Sequence, residues 1–221
     1  TVIVPTFAVG RSQEILAVLS RHPKMGYQKK FPIWIDGMVK TMNDIHRSYL
    51  ISDADKYRMN PQLKAGGQNI FTAGRSFFFE VARREMFHDS TDPKVMITTS
   101  GMCEGLASYY LSGCIENPRN LLMIVGYQTE GTLGRLLLEG AEQVNINGRL
   151  YRVNIQVDRA NFSGHADEAQ LMEAIKPNRL KTLITVHGEV KAMESFTNLV
   201  RRTVSVKRVI HAEIGKEIGL Y

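Results

Sequence analysis

The sequence predicts an α/β fold in which a Rossmann-like parallel β-sheet is covered by helices. Short apolar runs alternate with amphipathic stretches along the first 140 residues, and several runs, such as 2–4 (VIV) and 94–99 (KVMITT), have the pattern of strands in a parallel sheet. A third observation is the Asn147-Gly148 pair, which lies between two strand-like runs. It predicts one antiparallel hairpin, because this dipeptide tolerates the positive φ angles of a tight turn.

The elements before residue 140 follow from this alternation. Residues 2–4 (VIV) predict a first buried strand, and the helix that follows places Ile15, Leu16 and Leu19 on one face. The third predicted strand, at 69–71, has the weakest apolar pattern and follows a polar stretch at 52–67. The predicted strands are 2–4, 31–36, 69–71, 94–99 and 121–126, and the predicted helices are 12–21, 39–49, 76–87, 106–114 and 132–139.

The hairpin marks a change in organisation. Its two strands are predicted at 143–146 and 150–156, and an antiparallel element thereby replaces the winding of the sheet. We therefore expect a boundary near residue 158, with one domain at 1–158 and a second at 159–221. The elements predicted in the second domain are helices at 168–176 and 192–202 and strands at 181–186 and 207–211.

Composition narrows the class of protein. The 221 residues include 28 Lys and Arg against 22 Asp and Glu, and the net charge of +6 favours a polyanionic partner such as nucleic acid without demanding one. Two cysteines cannot build a disulfide framework and no signal peptide is recognisable, so we expect a cytoplasmic location. The apolar runs are far shorter than the roughly 20 residues that span a bilayer, so no membrane partner is expected.

The loops that follow the predicted strands carry the candidate binding residues, because ligands of such sheets bind beyond the carboxyl ends of the strands. Segments 5–14 (PTFAVGRSQE), 98–105 (TTSGMCEG) and 125–135 (VGYQTEGTLGR) each join small residues to a helix start. Arg11 and Arg135 add planar donors suited to phosphate oxygens. The alternative is that these glycines only form tight turns. Neither a P-loop nor a G-x-G-x-x-G fingerprint occurs, which disfavours a nucleotide enzyme.

His165 and His187 are the leading histidines. Each is followed by a small residue and then by an acid, Asp167 and Glu189 respectively. They are candidates for metal ligands, for general acid-base groups or for polar caps. Two histidines and a few acids fall short of the three or four ligands of a usual zinc site. The remaining histidines, His22, His46, His88 and His211, are interpreted as structural.

Six segments together resemble the β-CASP branch of the metallo-β-lactamase-fold nucleases. The similarity is greatest to prokaryotic relatives of the nuclease subunit of the cleavage and polyadenylation specificity factor, and ribonuclease J is a more distant relative. The resemblance covers almost the whole chain in the family's order. The segments are PTFAVGRSQE at 5–14, WIDGM at 34–38, TTSGM at 98–102, VGYQTEGTLGR at 125–135, FSGHAD at 162–167 and VHGE at 186–189.

This resemblance implies a role for each segment. Residues 1–158 correspond to most of a β-CASP domain, and residues 159–221 correspond to the carboxyl-terminal return into a metallo-β-lactamase αββα domain. His187 corresponds to a zinc ligand, and its position in motif C is associated with RNA substrates. His165 corresponds to the catalytic histidine of motif B, near the scissile phosphate. The residues implied in lining the RNA path or holding its phosphates are Arg11, Ser100, Gly101, Met102, Arg135, Ser163 and Gly164.

The resemblance also implies parts that this chain does not carry. The family's motif H-x-H-x-D-H is absent from the 221 residues, and Thr1 leads at once into a buried-strand pattern. We therefore expect an incomplete and inactive portion of a zinc ribonuclease, which requires the amino-terminal metallo-β-lactamase half and two zinc ions, with at most weak metal binding by this chain alone. The alternative is a non-catalytic subunit for RNA binding or assembly. Endonuclease or exonuclease action and a homodimer are left open.

Overall fold

A computed structural model describes residues 1–22, 24, 30–52, 64–65, 68–69, 78–162, 164–178 and 180–219. Within it the chain forms two compact units, Thr1–Ser163 and Gly164–Tyr221. In chain order the elements are β1 (Val2–Pro5), α1 (Arg11–Ser20), β2 (Ile33–Ile35), α2 (Met38–Ser52), β3 (Lys64–Ala65), β4 (Gln68–Asn69), β5 (Phe79–Glu80), α3 (Glu85–Asp89), β6 (Val95–Thr98), α4 (Leu106–Ser112), β7 (Leu121–Ile124), α5 (Leu133–Leu138), β8 (Gln143–Ile146), β9 (Arg149–Arg152), β10 (Gln156–Arg159), α6 (Glu168–Ile175), β11 (Thr182–Thr185), α7 (Val190–Thr203) and β12 (Arg208–His211).

The first unit is built on a six-stranded sheet in the order β10-β7-β1-β6-β2-β5. Every neighbouring pair in it is parallel, which confirms the predicted Rossmann-like sheet. Both faces of the central strands are covered, as expected for parallel strands joined through helices. Ile3 and Met96 pack on one face with Tyr110 of α4, and Val4 packs on the other with Leu16 of α1.

The helix predicted at 76–87 is wrong over residues 78–84, and only residues 85–87 of it are helical. Phe79 and Glu80 form β5, which pairs with β2, and the helix α3 begins only at Glu85. The Phe79 ring stacks on Trp34 with centroids 4.6 Å apart, whereas Phe78 is buried in the core. Consecutive phenylalanines therefore face opposite ways as in a strand, and the cross-strand stacking decides the conformation.

The weak strand predicted at 69–71 was also misplaced. Gln68–Asn69 pairs antiparallel with Lys64–Ala65 in a separate two-stranded sheet and takes no part in the main one. Residues 70–77 lie outside the described residues, and so do Ser163 and most of the polar stretch at 52–67. The fifth main-sheet strand before residue 130 is β5 instead.

The Asn147-Gly148 turn forms as predicted. Both residues have positive φ angles, 52° and 86°, and join β8 to β9. The second hairpin strand, however, ends at Arg152, and Asn154 and Ile155 both donate backbone hydrogen bonds to the Ile115 carbonyl. The chain then re-enters the main sheet as β10, parallel to β7, so that the parallel winding resumes after the hairpin. The boundary expected near residue 158 falls within β10.

The second unit contains a β11-α7-β12 crossover, preceded by α6. The two strands pair in parallel, and all four elements lie close to their predicted positions. Asp167 and Gln170 form a capping box at the start of α6, which fixes the beginning of that helix. Every residue of β11 is only partly buried. Within the described residues, no helix combines the length and apolar character needed to cross a membrane.

Candidate functional site

The loops that follow the parallel strands lie along one border of the main sheet, here called the carboxyl edge. Because β7, β1 and β6 are direct neighbours, the three loops predicted to bind phosphate follow one another along this edge. Arg11 opens the helix after β1, Ser100–Met102 follows β6, and Arg135 lies in the helix after β7. The fold therefore brings these candidates to the same side of the first unit.

The loop after β6 forms a tight turn. The Cys103 amide donates to the Ser100 carbonyl at 3.2 Å, and the Ser100 amide donates to the Glu104 carbonyl at 3.3 Å. Cys103 has a φ of 64° and is buried, and this burial raises the pKa of its thiol to about 12. Burial therefore disfavours a thiolate at Cys103 near neutral pH, and the side chain packs in the hydrophobic core.

Gln128 fastens this turn to the loop after β7. Its Nε2 donates to the carbonyl oxygens of Gly101 at 2.8 Å and of Tyr127 at 3.0 Å. The amide of Gly134, at the start of α5, donates to the Met102 carbonyl at 3.1 Å. The two loops thus form one connected backbone surface, which local sequence patterns did not predict.

Phe7 lies on the carboxyl edge beside two glycines. A Cβ atom at Gly101 would lie 3.3 Å from Cε2 of the Phe7 ring, and one at Gly126 would lie 4.0 Å from the same atom. Phe7 is 51% exposed and the neighbouring Tyr127 is 52% exposed. Exposed aromatic rings among cationic groups are typical of surfaces that bind single-stranded nucleic acid, because bases stack on them.

Arg11 and Arg135 each pair with an acid one helical turn later. Arg11 contacts Glu14, and Nε of Arg135 lies 2.6 Å from Oε1 of Glu139. Both glutamates are more than half exposed. Surface pairs of this kind contribute only about 0.2–1 kcal/mol, so a phosphate group can compete for either guanidinium.

An ion cluster around the buried carboxylate of Asp36, formed with Lys40, Arg84 and Tyr110, was not predicted from the sequence. The Oδ2 atom of Asp36 accepts hydrogen bonds from Nε of Arg84 and from the Tyr110 hydroxyl, both at 2.7 Å. Burial by itself raises the pKa of Asp36, but the hydrogen bonds from Arg84 and Tyr110 and those from the Gly37 backbone and Lys40 outweigh it and lower that pKa. The signal in the sequence is an acid directly after a buried strand, within WIDGM.

The two candidate histidines both belong to the second unit. His165 is exposed and lies two residues before Asp167, the N-cap of α6. His187 is exposed in the turn between β11 and α7, with a φ of 58° that few residues other than glycine adopt. Gly164 is exposed beside His165. That the two imidazoles converge on one substrate remains a prediction.

His211 has a defined partner near the His187 turn. It pairs in register with Thr185 across β11 and β12, and its Nδ1 atom lies 2.7 Å from the Thr185 hydroxyl. Thr185 is two residues before His187. This contact anchors the end of β11, from which the turn carrying His187 departs.

A zinc centre needs three or four ligand side chains close together. Across the part of the chain that the structure describes, no three histidine, cysteine, aspartate or glutamate side chains are grouped closely enough to hold a metal ion. An exposed imidazole such as that of His187 fits one position of a zinc ligand set. By themselves, these residues do not supply the three or four ligands of a zinc site.

Two known protein families match this chain. The β-CASP domain family matches residues 12–137, which contain four of the six main-sheet strands (β2, β5, β6 and β7) and the carboxyl-edge loops after β6 and β7. The chain belongs to the β-CASP family. Residues 150–213 match a second family, described as the RNA specificity domain of Zn-dependent metallo-hydrolases, and this match includes His165 and His187. The resemblance found in the sequence is thereby confirmed.

Curated relatives of this β-CASP chain carry two kinds of name. The transcription termination factor FttA of Methanosarcina mazei is 32% identical, and that of Thermococcus kodakarensis is 36% identical; each comparison covers 93% of this chain and 33% of the relative. An RNase J-like protein of Methanocaldococcus jannaschii is 30% identical over 93% of this chain and 47% of its own length. The chain thus spans a third to a half of the length of these relatives.

Proposed function

We propose that this β-CASP chain is part of a zinc-dependent ribonuclease that hydrolyses RNA phosphodiester bonds in RNA processing or decay. The observation that carries the proposal is the pair of family matches, because one contains the carboxyl-edge loops after β6 and β7 and the other contains both candidate histidines. In this proposal, residues 1–158 are most of the β-CASP domain and residues 159–221 return to the metallo-β-lactamase domain.

The histidines have separate tasks in this proposal. The imidazole of His187 supplies one zinc ligand, and the other ligands come from outside the described residues. Zinc, when bound, lowers the pKa of a coordinated water so that hydroxide forms near neutral pH. His165 approaches the scissile phosphate, where it stabilises charge or gives a proton to the departing oxygen. The carboxyl-edge loops and Gly164 hold the RNA backbone, together with Ser163.

Completion by an amino-terminal metallo-β-lactamase half is also part of the proposal. Parallel strands are normally covered on both faces, yet every residue of β11 is only partly buried. Additional sheet and helix from the missing half would cover these strands.

Cys103 and Cys114 are buried free thiols, which supports a reducing, cytoplasmic setting.

The proposal is tested by joining this chain to the metal-binding half of the same protein. We expect stoichiometric zinc and RNA cleavage from the completed protein, and loss of both after His187→Ala. The matched control is His22→Ala, since His22 is exposed and belongs to the first unit. Zinc binding and cleavage by the isolated 221 residues would contradict the proposed incompleteness, and a fully active His187→Ala protein would contradict the ligand role.

A second candidate function rests on the names of the relatives. Several are transcription termination factors and are 32–36% identical to this chain. In this alternative the chain binds RNA as a non-catalytic or assembly component. It predicts RNA binding without cleavage in the completed protein, with binding nearly unchanged after His187→Ala, so the same variant separates the two functions.

A further inference from the structure

The carboxyl edge of the main sheet extends beyond the predicted RNA-contacting loops to β2 and β5. We propose that Arg84 and Lys40 form an additional binding site for an RNA phosphate at this end, with Asp36 as the positioning residue that holds both cations. The inference rests on the proposed function, because it lengthens the path of single-stranded RNA along the same edge.

The first step of the argument is how Asp36 holds the cations. Its side chain is only 1% exposed and its two oxygens bind different partners. Oδ2 accepts from Nε of Arg84 at 2.7 Å, and Oδ1 lies 3.1 Å from Nζ of Lys40. Nζ of Lys40 also donates to the Val81 carbonyl at 3.1 Å. The Tyr110 hydroxyl donates a second hydrogen bond to Oδ2 of Asp36. The buried carboxylate of Asp36 therefore fixes the positions of both cations.

The second step is charge and exposure. The cluster contains two positive charges, on Arg84 and Lys40, and one negative charge, on Asp36. Its net charge is therefore positive. The Arg84 side chain is 51% exposed and that of Lys40 is 31% exposed, although their common partner is buried. The bond to Asp36 uses Nε of Arg84, and a guanidinium carries four further N–H donors on its terminal nitrogens. A planar donor group held in this way suits a phosphate.

The third step is continuity with the predicted RNA path. Gly37 packs so closely against the loop after β6 that a Cβ atom there would lie 2.7 Å from Oγ1 of Thr99. That loop continues into Ser100–Met102, where Gly101 contacts Phe7. Asp36, which binds the Arg84 guanidinium, directly follows β2, and its amide donates to the Ile97 carbonyl of the neighbouring strand β6 at 3.2 Å. Because β2 and β6 are direct neighbours, Asp36 lies one strand spacing, about 5 Å, along the edge from the strand that leads into this segment.

The experiment measures binding of the full chain to a fluorescein-labelled oligouridylate by anisotropy, over a series of salt concentrations. We expect Arg84→Met to weaken binding by about three- to tenfold near 0.1 M salt. The slope of log K against log salt should fall in magnitude by about 0.7, the amount that one phosphate contact contributes on a single strand. Lys40→Met should show a change in the same direction.

Two controls separate a defined contact from general electrostatics. Arg119→Met removes the same charge just before β7, at the opposite edge of the sheet, and should leave affinity and slope near those of the unaltered chain. The double variant Asp36→Asn with Arg84→Met keeps the net charge unchanged and leaves no buried carboxylate without its arginine. We expect it to lose affinity as Arg84→Met does, while thermal melting shows that it remains folded.

The possible results lead to different conclusions. Equal effects of Arg84→Met and Arg119→Met would overturn the phosphate site, and so would an unaltered affinity and salt slope in the folded double variant. Arg84-dependent binding to an acidic peptide but not to the oligonucleotide would also overturn it, in favour of a protein partner. If the unaltered chain does not bind RNA at all, the proposed function fails as well, whereas RNA binding that is insensitive to Arg84 removes only this inference.

Discussion

Nε2 of Gln128 donates a 2.8 Å hydrogen bond to the carbonyl oxygen of Gly101, although the two residues are 27 positions apart. Gln128 is 3% exposed, so this bond is shielded from water. It joins the loop after β7 to the loop after β6, across the end of β1. The candidate phosphate-binding surface is therefore fixed by a buried side chain, and its geometry depends on that side chain being present.

Replacement of Gln128 by alanine should destabilise the first unit. The change removes donors to Gly101 and to the Tyr127 carbonyl and leaves a cavity, so we expect a loss of about 2–4 kcal/mol in the free energy of unfolding. Urea denaturation followed by circular dichroism provides the measurement. The matched control is Gln143→Ala on the exposed face of β8, which should change stability by less than about 0.5 kcal/mol. Similar midpoints for the two variants would contradict the bridging role.

Gly134→Ala should be damaging for a steric reason. A Cβ atom at this position would lie 1.7 Å from Oε1 of Gln128 and 3.1 Å from Sγ of Cys103. Since Gln128 is held by its hydrogen bonds, it cannot move without breaking the bridge to Gly101. We expect a cost of about 1–3 kcal/mol and a lower melting temperature. Gly126→Ala is the control, because its nearest contact is Cε2 of Phe7 at 4.0 Å, and comparable melting of the two proteins would show that Gly134 is not sterically required.

Asp36 should make stability depend on acid pH. Its pKa is lowered in the folded state, so the ionised carboxylate stabilises the fold most fully above the ordinary aspartate value, about 3.9. This contribution is lost as the pH falls below about 4 towards the lowered pKa, because protonation then weakens the contacts with Arg84 and Lys40. Unfolding free energies measured between pH 7 and pH 3 should decrease at the acid end.

The variant Asp36→Asn provides the comparison for this pH dependence. It should be less stable at pH 7 by about 1–3 kcal/mol, because the two cations lose their carboxylate partner. Its stability should also change less than that of the unaltered chain between pH 5 and pH 3. Parallel pH profiles for the two proteins would mean that other carboxylates cause the acid sensitivity.

Local patterns in the sequence were sufficient for the central strands of the sheet and the loops that follow them. They were not sufficient for its two edge strands, β5 and β10, or for contacts between distant segments. The run at 94–99, which forms β6, and the turn at Asn147-Gly148 each specify their structure within a few residues, and both predictions were confirmed. Arg84 and Asp36 are 48 positions apart, and their pairing depends on β5 lying beside β2. That neighbour relationship was hidden because residues 76–87 have apolar spacing that also fits a helix. The cluster could be found only after the strand order was known.

The candidate histidines should separate into a metal-binding and a catalytic position in the completed protein. His187→Ala should lower zinc content together with RNA cleavage, because the imidazole on the turn after β11 is the proposed ligand. His165→Ala should retain zinc and RNA affinity but lose about 10²- to 10⁴-fold in kcat, the usual contribution of general acid-base catalysis. Zinc is measured by mass spectrometry, and kcat by single-turnover cleavage of a labelled RNA.

The pH profile of RNA cleavage distinguishes a catalytic role of His165 from a structural one. A histidine that protonates the departing oxygen gives a rate that falls as the imidazole loses its proton, and His165→Gln should remove that limb of the profile. The exposed position of His165 before α6, outside the capping box of Asp167 and Gln170, means that this substitution should leave the helix intact. Loss of zinc from the His165→Gln protein would show that His165 acts at the metal site and contradict the assigned role. An unchanged pH profile with full activity would show that His165 has no catalytic role.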